Sequence, residues 1–128
     1  MNPNKALWEK GDFTRIAESM RESGEALVKT FGITNGLKVL DLGCGDGTTA
    51  VPEARLGADV LGVDIASNLV EAGNARAQGL GLTNCRFQEG DASDLQAELD
   101  ALFNAQNTSP SEDATSIPAT FLRVTVAV

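Results

Sequence analysis

The sequence predicts an α/β fold built on a doubly wound parallel sheet. Three observations lead there. Short apolar runs alternate with helical patterns between residues 38 and 104, and such alternation implies parallel strands joined by crossover helices. A glycine loop, Gly43-Cys44-Gly45-Asp46-Gly47, follows the first of those runs. Loops of that kind sit at the carboxyl end of such sheets, where ligands bind. An acidic residue, Asp64, closes the second run.

The elements follow in order. Phe13, Ile16, Met20, Leu27 and Phe31 recur at helical spacing and predict one helix over residues 13–31. Asp12 is its expected N-cap and Gly32 its stop. Gly24 weakens the interior by about 1 kcal/mol. Asn35-Gly36 marks a turn, and Lys38-Val39-Leu40-Asp41-Leu42 reads as a short buried strand. A helix over 48–56 carries Pro52 near its first turn, where a missing N–H does least harm. Residues 59–63 (DVLGV) form the second strand. Ser67 is expected to cap a helix over 67–78, with Glu71 and Arg76 exposed. Residues 85–88 (CRFQ) form a third strand, then Gly90-Asp91, then a helical pattern over 95–104. After Phe103 the sequence turns polar, with two prolines and no apolar period; residues 105–120 read as a flexible linker. In residues 121–128 (FLRVTVAV), Leu122, Val124, Val126 and Val128 share one face, the pattern of an edge strand.

Composition narrows the function. The length, 128 residues, suits one domain. A net charge of −8 disfavours nucleic acid and anionic membranes as general partners. The chain has no histidine and two cysteines, which argues against the common zinc sites, histidine catalysis and a disulfide framework. No run approaches the ~20 apolar residues of a membrane span, and the first residues lack an apolar signal core. A cytoplasmic domain is the expectation. Cys44 and Cys85 read as packed side chains rather than nucleophiles. Trp8 reads either as a cover for a ligand pocket or as an apolar anchor.

Two ligands suit a glycine loop followed by an acid 21 residues beyond Gly43. A nicotinamide dinucleotide favours G-x-G-x-x-G, but here the sixth position is Thr48. Asp41 and Asp46 also flank the place a pyrophosphate would take, and no Lys or Arg lies within the loop. A like-charge contact at about 4 Å costs about 4 kcal/mol at an effective dielectric of about 20. An adenosine that carries positive charge suits the same carboxylates.

VLDLGCGDG, VLGVDIASNLVEAGNARA and CRFQEGDASDL together resemble the first three motifs of class I S-adenosylmethionine-dependent methyltransferases, nearest to the ubiquinone/menaquinone-type branch. The resemblance covers residues 36–95 and extends loosely over the first helix from Trp8. It implies a Rossmann-like, three-layer α/β/α fold and S-adenosylmethionine as cofactor. It places Asp41 and the backbone of Gly43, Cys44 and Gly45 at the methionine end. Asp64 would take the ribose hydroxyls, Ile65 would pack on the adenine, and Asp91 would reach the adenine amino group beside the backbone of Ala92. Each acid has a plainer reading: Asp41 as a loop cap, Asp64 as a strand-end acid, Asp91 as a turn residue.

The family pattern continues into a fourth strand beside the first and a seven-stranded sheet. Here residues 1–104 hold an N-terminal helix and the cofactor half, so the fold is expected to be incomplete, the chain a truncated member. The first strand would then have an open edge. Residues 121–128, self-association or a partner chain are the candidates to cover it; equally, the tail is unrelated to the fold. Methyl transfer to an unidentified acceptor is the implied activity, and a non-catalytic cofactor-binding module that needs a partner chain is the alternative. No catalytic residue is identifiable.

Overall fold

The structure is a computed structural model that describes residues 2–106 and residue 110. Three parallel strands, β1 (Lys38–Leu42), β2 (Asp59–Asp64) and β3 (Cys85–Glu89), stand in the order β1-β2-β3. Lys38 pairs with Asp59 and Leu42 with Val63; Val60 pairs with Cys85 and Asp64 with Glu89. Among the described residues β1 therefore has a free outer edge, and Val39, Leu40 and Leu42 are only partly buried. The expected linker and edge strand, beyond Gln106, lie outside the described residues apart from residue 110.

Among the described residues six helices accompany the sheet: α1 (Lys5–Trp8), α2 (Phe13–Ser19), α3 (Arg21–Lys29), α4 (Ala50–Arg55), α5 (Ser67–Gly79) and α6 (Ala92–Gln106). Helices α4 and α5 are the crossovers, and both pack on β2 and β3. The core lies between them and the sheet: Ala50, Val51 and Ala54 of α4, Val70 and Ala77 of α5, and Val60, Cys85 and Phe87 of the strands. Side chains alternate across a strand, so Val60 and Gly62 share that face with their partners Cys85 and Phe87. Phe87 fills the space that three glycines clear. A Cβ on Gly47, Gly62 or Gly73 would come within 2.7–2.8 Å of its ring. Asn74 of α5 closes the outer side of β3: its Nδ2 donates to the Phe87 carbonyl (2.9 Å) and its Oδ1 accepts from the Phe87 N–H (3.0 Å).

The structure departs from the sequence reading at three helices. The single helix expected over 13–31 is two, divided at Met20, and Asp12 makes no side-chain cap to the helix backbone. Asp12 instead accepts a hydrogen bond from the Thr14 hydroxyl. Ser67 is the first residue of α5 rather than its cap. Its N–H (3.1 Å) and hydroxyl (2.8 Å) both donate to Glu9 Oε1, so the N-terminal segment supplies the cap from 58 residues away. Those two bonds hold the Glu9 carboxyl below its ordinary pKa, and Lys5 assists. Helix α6 begins three residues earlier than expected and extends two residues further, into the stretch read as linker. Among the described residues no helix is long and apolar enough to cross a membrane.

Candidate functional site

The carboxyl ends of β1, β2 and β3 converge on the glycine loop. Gly43 and Gly45 have φ of 69° and 54°, and a Cβ built on either meets no atom of the described residues within 4 Å. A positive φ is the conformation glycine adopts at little cost. These two glycines thus present bare backbone to open space, which lets a ligand approach closely.

Two cavities open there. One, of about 450 Å³, brings together Gly43, Gly45, Asp64, Ile65, Asp91 and Ala92. The other, of about 420 Å³, includes Asp41, Gly43, Cys44 and Gly45 and is walled by α2 and α3. Trp8, Gly43, Gly45 and Leu69 line both. All eight residues singled out in the sequence therefore border one continuous region.

Each of the three acids also has a structural task. Asp64 ties the loop to the end of β2: its Oδ2 accepts from the Gly45 N–H and its Oδ1 from the Ala66 N–H, both at 2.9 Å. A carboxylate has about four acceptor sites, so ribose-type hydroxyls still have lone pairs to address. Asp91 receives the Ser93 N–H (2.9 Å) and hydroxyl (2.6 Å) on Oδ1, the geometry of an N-cap for α6. These bonds hold its carboxyl below the ordinary range. Asp41 accepts from the Thr49 hydroxyl at 2.5 Å. Burial pushes its pKa up; the bonds from Thr49 and the Ala50 N–H oppose that, and the negative field of Asp64 adds to it.

Asp46 is not the free carboxylate the loop sequence suggests. It is 4% exposed, and Arg21 of α3 grips it with two hydrogen bonds, Nη1 to Oδ1 at 2.7 Å and Nη2 to Oδ2 at 2.5 Å. The same guanidinium donates to Thr48 Oγ1 (3.0 Å). Arg76, read as exposed, is partly buried and donates to the carbonyls of Asp46 (3.3 Å) and Gly47 (2.9 Å). Besides Asp46, the acids that border the two cavities are Asp41, Asp64 and Asp91. Nothing near Gly-Asp-Gly in sequence reveals Arg21, which lies 25 residues upstream. Cys44 is buried with its sulfur against Gly62, and burial raises its thiol pKa far above the ordinary value; Cys85 rises to about 11 for the same reason. Neither is poised as a thiolate nucleophile. Glu53 of α4, unnoticed in the sequence, is 5% exposed, and its Oε2 has no hydrogen-bond partner among the described residues.

The arrangement fits an adenosyl cation. It offers bare backbone, the carboxylates of Asp64 and Asp91 and an apolar Ile65 around one cavity, with Asp41 in the adjoining one, and the guanidiniums of Arg21 and Arg76 are engaged with the loop itself.

Known proteins resemble this chain in sequence and in fold. The chain is 36% identical over 106 residues to the uncharacterised protein Rv1405c of Mycobacterium tuberculosis, an alignment that covers 80% of this chain and 38% of that protein. It is 38% identical over 76 residues to a ubiquinone biosynthesis O-methyltransferase of Leptothrix cholodnii, with 59% of this chain and 32% of the other covered. Among solved structures it resembles the magnesium protoporphyrin IX methyltransferase of Synechocystis with bound SAH, with a TM-score of 0.52, 33% identity, and 63% and 38% of the two chains covered. The chain thus spans well under half the length of these relatives. Residues 33–117 match the family model described as a methyltransferase domain, and on that match the chain belongs to the methyltransferase-domain family.

Proposed function

We propose that this chain binds S-adenosylmethionine and forms the methyl-donor part of an S-adenosylmethionine-dependent methyltransferase. The observation that carries the reading is the convergence of Gly43, Gly45, Asp64, Ile65 and Asp91 on one cavity. Family membership and a similar structure with bound SAH support it.

In this reading Asp64 accepts both ribose hydroxyls while the Gly45 and Ala66 N–H groups keep its carboxylate oriented. A hydrogen bond to a charged acceptor is worth about 1.5–3 kcal/mol. Ile65 lies against the adenine, and Asp91 and the Ala92 backbone meet its polar edge. Asp41 and the backbone from Gly43 to Gly45 hold the amino-acid end, where a carboxylate favours an ammonium. When bound, the cofactor would supply an electrophilic methyl for displacement by an acceptor lone pair, with the C–S bonding pair left on sulfur and any acceptor proton released to water. The chain's contribution is alignment, which alone can supply much of the rate of a displacement.

Titration calorimetry with S-adenosylhomocysteine and with NADH tests the proposal. Saturable binding of the first, with none of the second, is the expected result. A flat titration with S-adenosylhomocysteine on folded protein overturns it.

A further inference from the structure

Trp8 stands where the two cavities meet. Four of the described residues border both: Trp8, Gly43, Gly45 and Leu69. Asp41 borders only the cavity under α2 and α3, and Asp64 and Asp91 border only the other. Trp8 is the one aromatic residue of the shared border, since Phe13 lines the first cavity alone. The Trp8 and Phe13 ring centroids lie 5.1 Å apart, with planes inclined at 53°.

Ties from distant parts of the chain fix this position. Trp8 is the last residue of α1, and residues on both sides of it are anchored. Lys5 pairs with Glu89 at the end of β3. Glu9 accepts from the Ser67 N–H and hydroxyl at the start of α5. Trp8 itself stays 45% exposed. A tryptophan that served only to anchor the segment would bury more of its ring, because that burial is its main stabilising contribution. The fold instead holds a part-exposed indole beside open space.

In the methyl-donor reading, adenosine lies along Asp64, Ile65 and Asp91, and the amino-acid end lies along Asp41. A ligand that reaches from one cavity into the other sets its middle at the shared border. In S-adenosylmethionine that middle is the sulfonium. No acid belongs to the shared border, and of its side chains only the indole attracts a cation, through the negative face of the ring. We infer that Trp8 is a specificity residue for the cofactor: its indole packs against the sulfonium and shifts preference toward the methyl-bearing form over the demethylated product, whose sulfur is uncharged. The inference rests on the methyl-donor reading above and adds to it a means of telling the two forms apart. The same contact weakens once the methyl has left and the sulfur has lost its charge.

The test titrates S-adenosylmethionine and S-adenosylhomocysteine calorimetrically into the full chain, as wild type, Trp8→Leu, Trp8→Phe and Leu7→Ala. Trp8→Leu keeps an apolar cover without a π face. The ratio of its two dissociation constants should shift against S-adenosylmethionine by about three- to tenfold relative to wild type. Trp8→Phe, with a weaker ring face, should shift the ratio less. A purely structural loss weakens both ligands together and leaves the ratio unmoved. Leu7 lies on the same helix, is 61% exposed and borders neither cavity, so Leu7→Ala should keep the wild-type ratio. Trp8 is the chain's only tryptophan, so wild-type emission gives a readout that needs no substitution. It should change saturably with S-adenosylmethionine at the calorimetric constant. An unchanged ratio in Trp8→Leu, an equal shift in Leu7→Ala, or emission that does not respond to calorimetrically bound S-adenosylmethionine overturns the inference. Absence of binding of both ligands to wild type overturns the methyl-donor reading instead.

Discussion

Arg21 and Asp46 join the N-terminal helices to the glycine loop through a two-pronged ion pair, with contacts of 2.7 and 2.5 Å. The carboxylate is almost wholly buried, and this guanidinium holds both of its oxygens. Removing one partner of a buried pair strands the other, at a cost of about 3–5 kcal/mol. Arg21 is partly exposed, which lets water relieve some of that cost. Arg21→Met is expected to lower the unfolding free energy by about 2–3 kcal/mol. Asp46→Asn on that background should recover part of the loss, since no buried charge remains. Urea denaturation of the two single variants and the double variant measures the coupling, and additive effects would show that the pair does not act as one.

Asp64 has two tasks, and its variants should separate them. Asp64→Ala removes both the ligand acceptor and the bonds to the Gly45 and Ala66 N–H groups. It is expected to weaken S-adenosylhomocysteine binding about tenfold or more and to cost about 1–3 kcal/mol of stability through the orphaned donors. Asp64→Asn keeps one carbonyl oxygen for the backbone but offers an amide in place of the second acceptor. Its affinity should fall nearly as far, while its stability falls less. Calorimetric titration beside thermal unfolding reads both, and an unchanged dissociation constant in either variant rules Asp64 out as a ribose contact.

Gly24 reverses its sequence-based reading. As a residue within a helix it costs α3 about 1 kcal/mol relative to alanine. In the fold, a Cβ there would lie 2.6 Å from both the Thr48 carbonyl oxygen and the Thr48 Cγ2. The helix passes so close to the loop that only hydrogen fits. Gly24→Ala is therefore expected to destabilise the protein by about 1–3 kcal/mol, as overpacking does, despite the gain in helix propensity. Denaturant unfolding decides it, because the propensity term alone predicts a rise in midpoint.

The sheet was legible because its signals are local. A strand, a glycine loop and a helix follow one another within residues 38–56, and the same logic repeats through β2, α5 and β3. The candidate cofactor-site residues could be proposed for the same reason, since each lies within a few residues of a strand's carboxyl end. What escaped the reading depends on partners distant in sequence. Glu9 caps α5 from 58 positions away, and Arg21 cancels the charge of Asp46 from 25. The break at Met20 was hidden because apolar residues keep helical spacing on both sides of it. Asp46 drops out of the charge argument because Arg21 pairs with it, and Asp41, Asp64 and Asp91 are the other acids that border the two cavities.

Glu53 provides a pH test that involves no ligand. Its side chain is buried beside Asp41, and burial first, then the Asp41 field, raise its pKa from 4.5 to about 7. A raised carboxyl holds its proton more tightly in the folded state than in the unfolded chain. Between pH 4.5 and 7 the native protein therefore keeps a proton that the unfolded chain has released, and stability falls as pH rises, by up to about 1.4 kcal/mol per unit. Above pH 7 both states are ionised and this contribution is flat. Asp41, also raised by burial, acts in the same direction. Glu53→Gln keeps the shape without the charge. Its expected behaviour is a higher unfolding midpoint than wild type at pH 8, little difference at pH 4.5, and a shallower decline between. Urea midpoints across that range give the profile. Parallel profiles for the two proteins would show that Glu53 titrates normally and that its unpartnered oxygen reaches water.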